Sequence, residues 1–318
     1  MALLEIKNLK KYFNTSHGVL HAVDDVTMNI EKGKTLGIVG ESGCGKSTLG
    51  KTLIRMHDAT SGEVWFDGQE VTSMHQKEFK LMRMRMQMIF QDPYASLDPR
   101  MSVSSLIAEP IQTYKLARNK KELEERVMEM MDTVGLARRL SNTYPHELDG
   151  GRRQRIGIAR ALSLNPDFIV CDEPVSALDV SIQAQILNLL MDLQEEKNLT
   201  YVFITHDMSV VKHISDDIAV MYLGQVVEKC DSKELFRKTL HPYSKALLSA
   251  VPVPSIHNKK ERIILKGEIS NPIDPKPCCR FAVRCPYAAE QCFTAEPMLE
   301  EVEPNHFVKC HRVKEINS

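Results

Sequence analysis

The sequence lacks any uninterrupted apolar run approaching the roughly 18 residues that a membrane span needs, so no part of it is expected to cross a bilayer. Its opening stretch, MALLEIKNLKKYF, lacks the long apolar segment of a secretory leader, and the chain is expected to stay in the cytosol. It also lacks an excess of either charge. The 41 basic and 42 acidic residues leave a formal net charge of -1, which excludes a global pull toward nucleic acid or anionic lipid. No nucleic-acid partner is expected, and no internal repeat is visible. What is present, 318 residues at 43% apolar composition, suffices for one large domain with an appendage, or for two domains. In a reducing compartment the eight cysteines are poor disulfide candidates, which leaves metal binding, catalysis or packing.

Along the chain, TLGIVG, GEVWFDG and MQMIFQD read as strands and GKSTLGKTLIRM as a helix that follows one of them. From about 92 to 163 the pattern turns helical, with Leu and Met at helical spacing in KKELEERVMEMMDTVGLARRL and a further helix through RRQRIGIARALSL. Strand DFIVCDEP, helix SIQAQILNLLMDLQEEKN and strand TYVFITHD follow, and this β-α-β order implies parallel strands covered by helices. The Met-rich LMRMRMQM reads as a short helix running into a strand, with Met filling gaps. After HPYSKALLSAVPVPS the composition shifts to a basic, proline-spaced linker and a Cys/Pro-rich tail, so a boundary is expected near 255, dividing 1–255 from 256–318.

Residues Gly40, Glu41, Ser42, Gly43, Cys44, Gly45, Lys46, Ser47 and Thr48 match G-x-x-x-x-G-K-[ST] between an apolar strand and a helix. Glycines there let backbone N–H groups turn inward around phosphate oxygens, and the helix N-terminus adds a favourable dipole. Lys46 is expected to reach the β and γ phosphates and the Ser47 hydroxyl to ligate Mg²⁺. In FIVCDEP, Asp172 ends an apolar strand and can hold the magnesium through water, while the adjacent Glu173 can polarise an attacking water as catalytic base.

With Gln91 after MQMIF, Gly150 and Gly151 before a basic helix, CDEPVSALD, and His206 in FITHD, these motifs stand in the order of the ATP-binding cassette (ABC) transporter ATPases, which residues 3 to 250 resemble. The resemblance implies an α/β fold: a P-loop ABC core of mixed sheet and flanking helices, an antiparallel β part, a helical subdomain over about 92–163, and a small Cys-rich C-terminal extension. It implies that Gln91 touches Mg²⁺ and senses the membrane subunit, that Ser176, Ala177, Leu178 and Asp179 cross a dimer interface, and that His206 contacts the γ-phosphate. Tyr12 resembles the aromatic residue that stacks on adenine; read alone it is equally a strand or core aromatic. His206 alone reads as a structural histidine.

VGESGCGKST, QDPYASLDPRM, HPYSKALLSAVP and CRFAVRCPYAAEQC further resemble ATPase subunits of dipeptide/oligopeptide importers, a branch that includes nickel importers. That resemblance implies a second, different ATPase subunit, two membrane permease subunits, an external substrate-binding protein, and a place on the cytoplasmic face of a prokaryotic membrane. The stretch QDPYASLDPRM would receive the permeases' cytoplasmic helices. A soluble cassette of translation or repair fits less well, since there is one phosphate loop and no coiled-coil insertion; a mainly regulatory ATP-binding subunit is the third alternative.

The family's usual Leu-Ser-Gly-Gly-Gln, whose Ser and Gly groups donate to the γ-phosphate held by the opposite subunit, is here Leu148, Asp149, Gly150, Gly151, Arg152. A carboxylate donates nothing, and two unit charges about 4 Å apart repel by roughly 4 kcal/mol at an effective dielectric near 20. Arg152 or Arg153 can offset that charge, and Asp149 can cap the helix. Weakened phosphate contact is expected, and with it one efficient and one slow or structural site in a heterodimer; the alternative is that the Arg-rich signature works normally.

In the tail, Cys279, Cys285, Cys292 and Cys310 are separated by 5, 6 and 17 residues, unlike the short C-x₂-C pairs of common zinc modules. The resemblance to importer ATPases implies a [4Fe-4S] cluster on these four. Zinc, with His306 or His311 as replacement ligands, and plain reduced thiols are the alternatives. Cys278 reads as a bystander, Cys44 and Cys171 lie within the nucleotide motifs, and Cys230 reads as a packed residue.

Overall fold

The structure, a computed structural model, describes residues 2–92, 94–251, 262–265, 267 and 271–318. The boundary expected near 255 lies outside the described residues. The chain forms two compact units, one of Met1–Ser73 with Phe203–Ser318, the other of Met74–Val202.

In the first unit, strand Ala2–Thr15 turns back into Gly18–Glu31 and pairs on its other edge with Ser61–Phe66, which continues into Gln69–Glu70. All three pairings are antiparallel. Val26, Met28 and Ile30 are buried and alternate with exposed Thr27, Asn29 and Glu31, the period-two pattern of a sheet with one covered face. Each such aliphatic residue contributes about 1.5–3 kcal/mol on burial.

A second sheet begins with the wholly buried strand Thr35–Val39, parallel to Asp217–Tyr222. The latter turns at Leu223 and Gly224 into the antiparallel strand Gln225–Asp231. The C-terminal segment extends this sheet: His306–Val308 pairs with Gln225–Asp231, and Glu300–Glu303 with His306–Val308. Beneath them the fully buried Glu228 accepts hydrogen bonds from the Leu240 and His241 N–H groups at 2.7 and 3.1 Å and lies 2.8 Å from His306 Nε2. One buried carboxylate therefore ties the tail strand to the entry of helix Pro242–Ser249. Phe281 completes an aromatic cluster with Tyr222 and Tyr243, at centroid distances of 5.2 and 5.5 Å.

In the second unit, helix Gln76–Arg85 runs directly into strand Met86–Ile89, which pairs in parallel with Phe168–Asp172. LMRMRMQM thus spans a helix-to-strand junction, as its pattern implies. Phe168–Asp172 is buried throughout, so its sequence reads as a continuous apolar run. Helices Val103–Thr113, Lys120–Thr133, Gly150–Leu162 and Val180–Lys197 supply the rest. The first three start at side-chain caps, Ser102, Asn119 and Asp149. Strand Thr200–Thr205 carries the chain across the division between the units.

Candidate nucleotide site

In the first unit the strand Thr35–Val39 ends at Gly40, and the loop to helix Lys46–Leu53 uses left-handed φ angles of 77° and 105° at Gly43 and Gly45. A Cβ at Gly45 would lie 2.0 Å from the Ala22 carbonyl, and one at Gly40 2.2 Å from that of Met221, so backbone approach requires both glycines. Helix Lys46–Leu53 starts at Gly45, which has no side chain to cap it, so a positive helix terminus follows the loop. Lys46 is 5% exposed and its Nζ donates to the Gly40 and Glu41 carbonyls at 2.8 and 3.0 Å, holding the ammonium across the loop. Burial raises the pKa of the Cys44 thiol and makes it a packed neighbour rather than a nucleophile.

Glu41 is fixed at three points. Its N–H donates to Tyr243 Oη at 2.9 Å, its carbonyl accepts from Lys46, and its carboxylate takes a two-pronged contact from Arg284 at 2.7 and 3.1 Å. Tyr12 donates its hydroxyl to Asp24 and stacks on His21 at 3.8 Å between centroids. Asp24 also receives Arg280 and lies 3.1 Å from His21 Nδ1. Burial opposes the Asp24 charge, but the Tyr12 and His21 contacts and the Arg280 charge outweigh it and hold this carboxyl below its ordinary range. The neighbouring Phe13, missed by the sequence reading, meets His57 edge-on at 5.6 Å with the Lys11 ammonium 4.7 Å from its ring centre. His206 follows strand Thr200–Thr205 and is exposed, just before Asp207 caps helix Met208–Ile214.

In the second unit Asp172 closes its buried strand at 3% exposure, and Glu173 follows in the left-handed region with φ 45°. Gln91 donates to Glu173 Oε2 at 3.0 Å, so the proposed magnesium sensor and base are brought together. Ser176 returns to the Glu173 carbonyl with its hydroxyl at 3.1 Å, and Gln183 Nε2 donates to the carbonyls of Val175 and Leu178 at 3.0 and 2.9 Å, so Ser176, Ala177, Leu178 and Asp179 form a braced turn. Gly150 and Gly151 pack beneath it: their Cβ positions would lie 3.0 Å from Leu178 Cδ2 and 2.7 Å from Ile182 Cγ2.

Asp149 is the N-cap of Gly150–Leu162. Its Oδ1 accepts from the Arg152 N–H at 2.8 Å, and the Arg152 guanidinium stands 3.2 Å from Oδ2. The carboxylate is thus occupied as a helix cap and ion-pair acceptor, and unlike a serine hydroxyl it has no proton to donate to a phosphate. Two further arginines of this helix turn away from Asp149: Arg153, which the sequence offered as a possible counter-charge to it, and Arg160, which the sequence reading did not single out. Buried Arg153 donates to the Pro145 carbonyl at 2.5 Å with its guanidinium 3.6 Å from the Tyr94 ring centre, and Arg160 donates to the Ser96 carbonyl at 2.7 Å. Both bind the stretch after Gln91 to the signature helix, a contact over some 60 residues of sequence that no local pattern announces.

In the tail, the Cys279 N–H donates to the Cys292 carbonyl at 3.0 Å. Burial pushes the Cys279 thiol up to about 12 and raises Cys285 and Cys310, and all six pairings among Cys279, Cys285, Cys292 and Cys310 add to these shifts. Four thiols around one tetrahedral zinc would stand roughly 3.8 Å apart, from Zn–S bonds of about 2.3 Å. Among the described residues, the one His/Cys/Asp/Glu group with ligand atoms all within 4.8 Å of one another is Glu234, Glu303 and His306, without a cysteine. The proposed replacement ligands are engaged elsewhere: His306 faces Glu228, and His311 Nε2 lies 3.0 Å from the Ala295 carbonyl.

Residues 23–176 match the family model of the ABC transporter, and residues 227–292 that of the oligopeptide/dipeptide transporter C-terminal region. The oligopeptide transport ATP-binding protein OppF of Escherichia coli is 50% identical over 322 residues, covering 98% of this chain and 96% of the relative. A putative oligopeptide transport ATP-binding protein of Bacillus subtilis, YkfD, is 52% identical over 314 residues, covering 98% and 95%. Among solved structures, the dimeric ATP-binding cassette MJ0796 in a post-hydrolysis state with ADP and Pi is 31% identical at TM-score 0.67, covering 72% of this chain and 98% of its own. With a phosphate loop built on glycines and matches across nearly its whole length, the chain belongs to the ABC transporter ATPases, in the family of oligopeptide transport ATP-binding proteins.

Proposed function

We propose that the chain binds Mg-ATP and hydrolyses it to energise import of oligopeptides or dipeptides through separate permeases at the cytoplasmic face of the membrane, with an external protein delivering the peptide. The observation that carries this reading is the phosphate loop: Lys46 is drawn across it by the Gly40 and Glu41 carbonyls at the start of an uncapped helix. Lys46 would neutralise the β and γ phosphates. Ser47, Gln91 and Asp172 are the residues to hold magnesium, which supplies charge neutralisation on the phosphates. Tyr12 would face adenine and His206 the γ-phosphate. Glu173, already joined to Gln91, takes a proton from water as its oxygen attacks the γ-phosphorus and the bond to ADP breaks. Glu173→Gln should keep ATP affinity within about twofold and reduce hydrolysis by about a hundredfold or more, within the range of general-base catalysis. Retained turnover in that variant would remove Glu173 from the role of base.

The capped geometry of Asp149 supports a division of labour in which this chain pairs with a different ATPase subunit, its own phosphate loop facing the partner's signature. For the tail, the mutual electrostatic influence of the four thiols supports a metal group shared among them, read as a [4Fe-4S] cluster with zinc as the alternative. Cys279, Cys285, Cys292 and Cys310 would hold it. Anaerobically purified chain should then carry iron and acid-labile sulfide and absorb near 410 nm, roughly as thiolate-bound iron clusters do; zinc alone on elemental analysis would replace the cluster.

A further inference from the structure

We propose that the segment between Cys279 and Cys285 is a positioning element of the nucleotide site, acting through Arg284 on Glu41 and through Arg280 on Asp24. This rests on the reading of Gly40 to Thr48 as the ATP phosphate loop.

Five residues separate the two cysteines, and two of the five are arginines aimed at nucleotide-binding elements. Arg284, directly before Cys285, is 8% exposed at its side chain and grips the Glu41 carboxylate with both terminal nitrogens, at 2.7 and 3.1 Å. Arg280, directly after Cys279, is 6% exposed, pairs with Asp24 and donates to the Leu223 carbonyl. From there two backbone bonds complete a path: Gly224 N–H donates to the Cys44 carbonyl at 2.8 Å, and Asp24 N–H to the Gly224 carbonyl at 2.8 Å. Asp24 in turn receives the Tyr12 hydroxyl. Phe281, between the two arginines, is anchored in the Tyr222 and Tyr243 cluster, and Tyr243 itself accepts the Glu41 N–H.

The chemistry explains why arginine serves here. Glu41 places a carboxylate within the loop that must receive the most negative part of ATP. A planar guanidinium both neutralises that carboxylate and fixes its direction through two parallel hydrogen bonds, which a lysine ammonium cannot do. Loss of Arg284 would leave the carboxylate free to swing toward the phosphates and repel them. Arg280 acts in the same way one step away, holding Asp24 and hence the Tyr12 ring. Because each arginine adjoins a cysteine, whatever fixes those two sulfur atoms also fixes both clamps.

The test is equilibrium binding of a fluorescent ATP analogue with magnesium to the full chain, with thermal unfolding measured in parallel. Arg284→Gln should weaken binding about tenfold, the scale of a lost charge-assisted hydrogen bond. Arg284→Lys should fall between it and wild type. Glu41→Gln removes the charge that needs clamping, so adding Arg284→Gln to it should cost at most twofold more. Cys279→Ser with Cys285→Ser should also weaken binding, with little further loss when Arg280→Gln and Arg284→Gln are already present. Unchanged affinity in Arg284→Gln, or fully additive losses in either combination, overturns the proposal. A fall in melting temperature with affinity preserved also overturns it, by making the clamp structural only. Lys46→Ala is the separate control: if it leaves affinity intact, the phosphate-loop reading fails, whatever the arginine variants do.

Discussion

His241 is fully enclosed, and its Nδ1 accepts the Tyr243 N–H at 3.1 Å, which requires an unprotonated nitrogen. Burial pushes its pKa down to about 4, against a partial opposing pull from Glu228. The unfolded chain, with an ordinary histidine near 6.5, therefore binds a proton that the folded chain refuses as pH falls below that value. Stability from this site is complete above about pH 6.5 and is lost progressively toward pH 4, by about 2 kcal/mol between pH 7 and pH 5. Urea unfolding at the two pH values should show that loss in the wild type and a loss smaller by that amount in His241→Asn, whose amide oxygen can still accept from Tyr243. At Asp149 the expected change is in activity instead. Asp149→Ser with Arg152→Gln keeps a capping oxygen, so stability should hold within about 0.5 kcal/mol, whereas Asp149→Ala should cost about 1 kcal/mol of capping. The double substitution should raise Mg-ATP hydrolysis by the isolated chain at least severalfold over a nearly silent wild type. Robust wild-type turnover would show instead that the carboxylate is compatible with a working signature.

At the scale of elements, the strand-loop-helix of the phosphate site was legible because its motif lies within 19 consecutive residues, Thr35 to Leu53, and its loop glycines take positive φ angles that the local turn requires. Gly45→Ala illustrates the demand: φ 105° and a 2.0 Å approach to the Ala22 carbonyl leave no place for a methyl group. That variant should lose at least tenfold in ATP affinity by the same binding assay, while Gly157→Ala, in open space on a helix, should not. The helix-to-strand junction around Met86 and the cap at Asp149 were legible for the same reason, since capping and periodicity act over a few residues. The tail was not. Its strand His306–Val308 has three residues and owes its existence to the edge of Gln225–Asp231, and Arg284 meets Glu41 across 243 positions. His306 looked like a spare metal ligand beside cysteines, because no sequence pattern places Glu228 under it.

For the whole molecule, order of motifs carried the family, and the matches over nearly all of the chain agree with it. What order could not convey is how far apart in sequence the parts of one pocket are. Assembly supplies a further prediction: in a heterodimer with a different ATPase subunit, Glu173→Gln should abolish most hydrolysis, and the equivalent change in the partner should cost much less. Equal losses would end the asymmetric reading. The phosphate loop leaves the ribosome early, but Tyr243 and Arg284, which hold Glu41, follow 202 and 243 residues later. At about 5–20 residues per second the second of these arrives roughly 10–50 s after the loop. A nascent chain would thus carry an open, unclamped loop for most of its elongation. It would reach full affinity only once Arg284 has emerged, so unfinished chains would compete with finished ones for ATP at a roughly tenfold disadvantage.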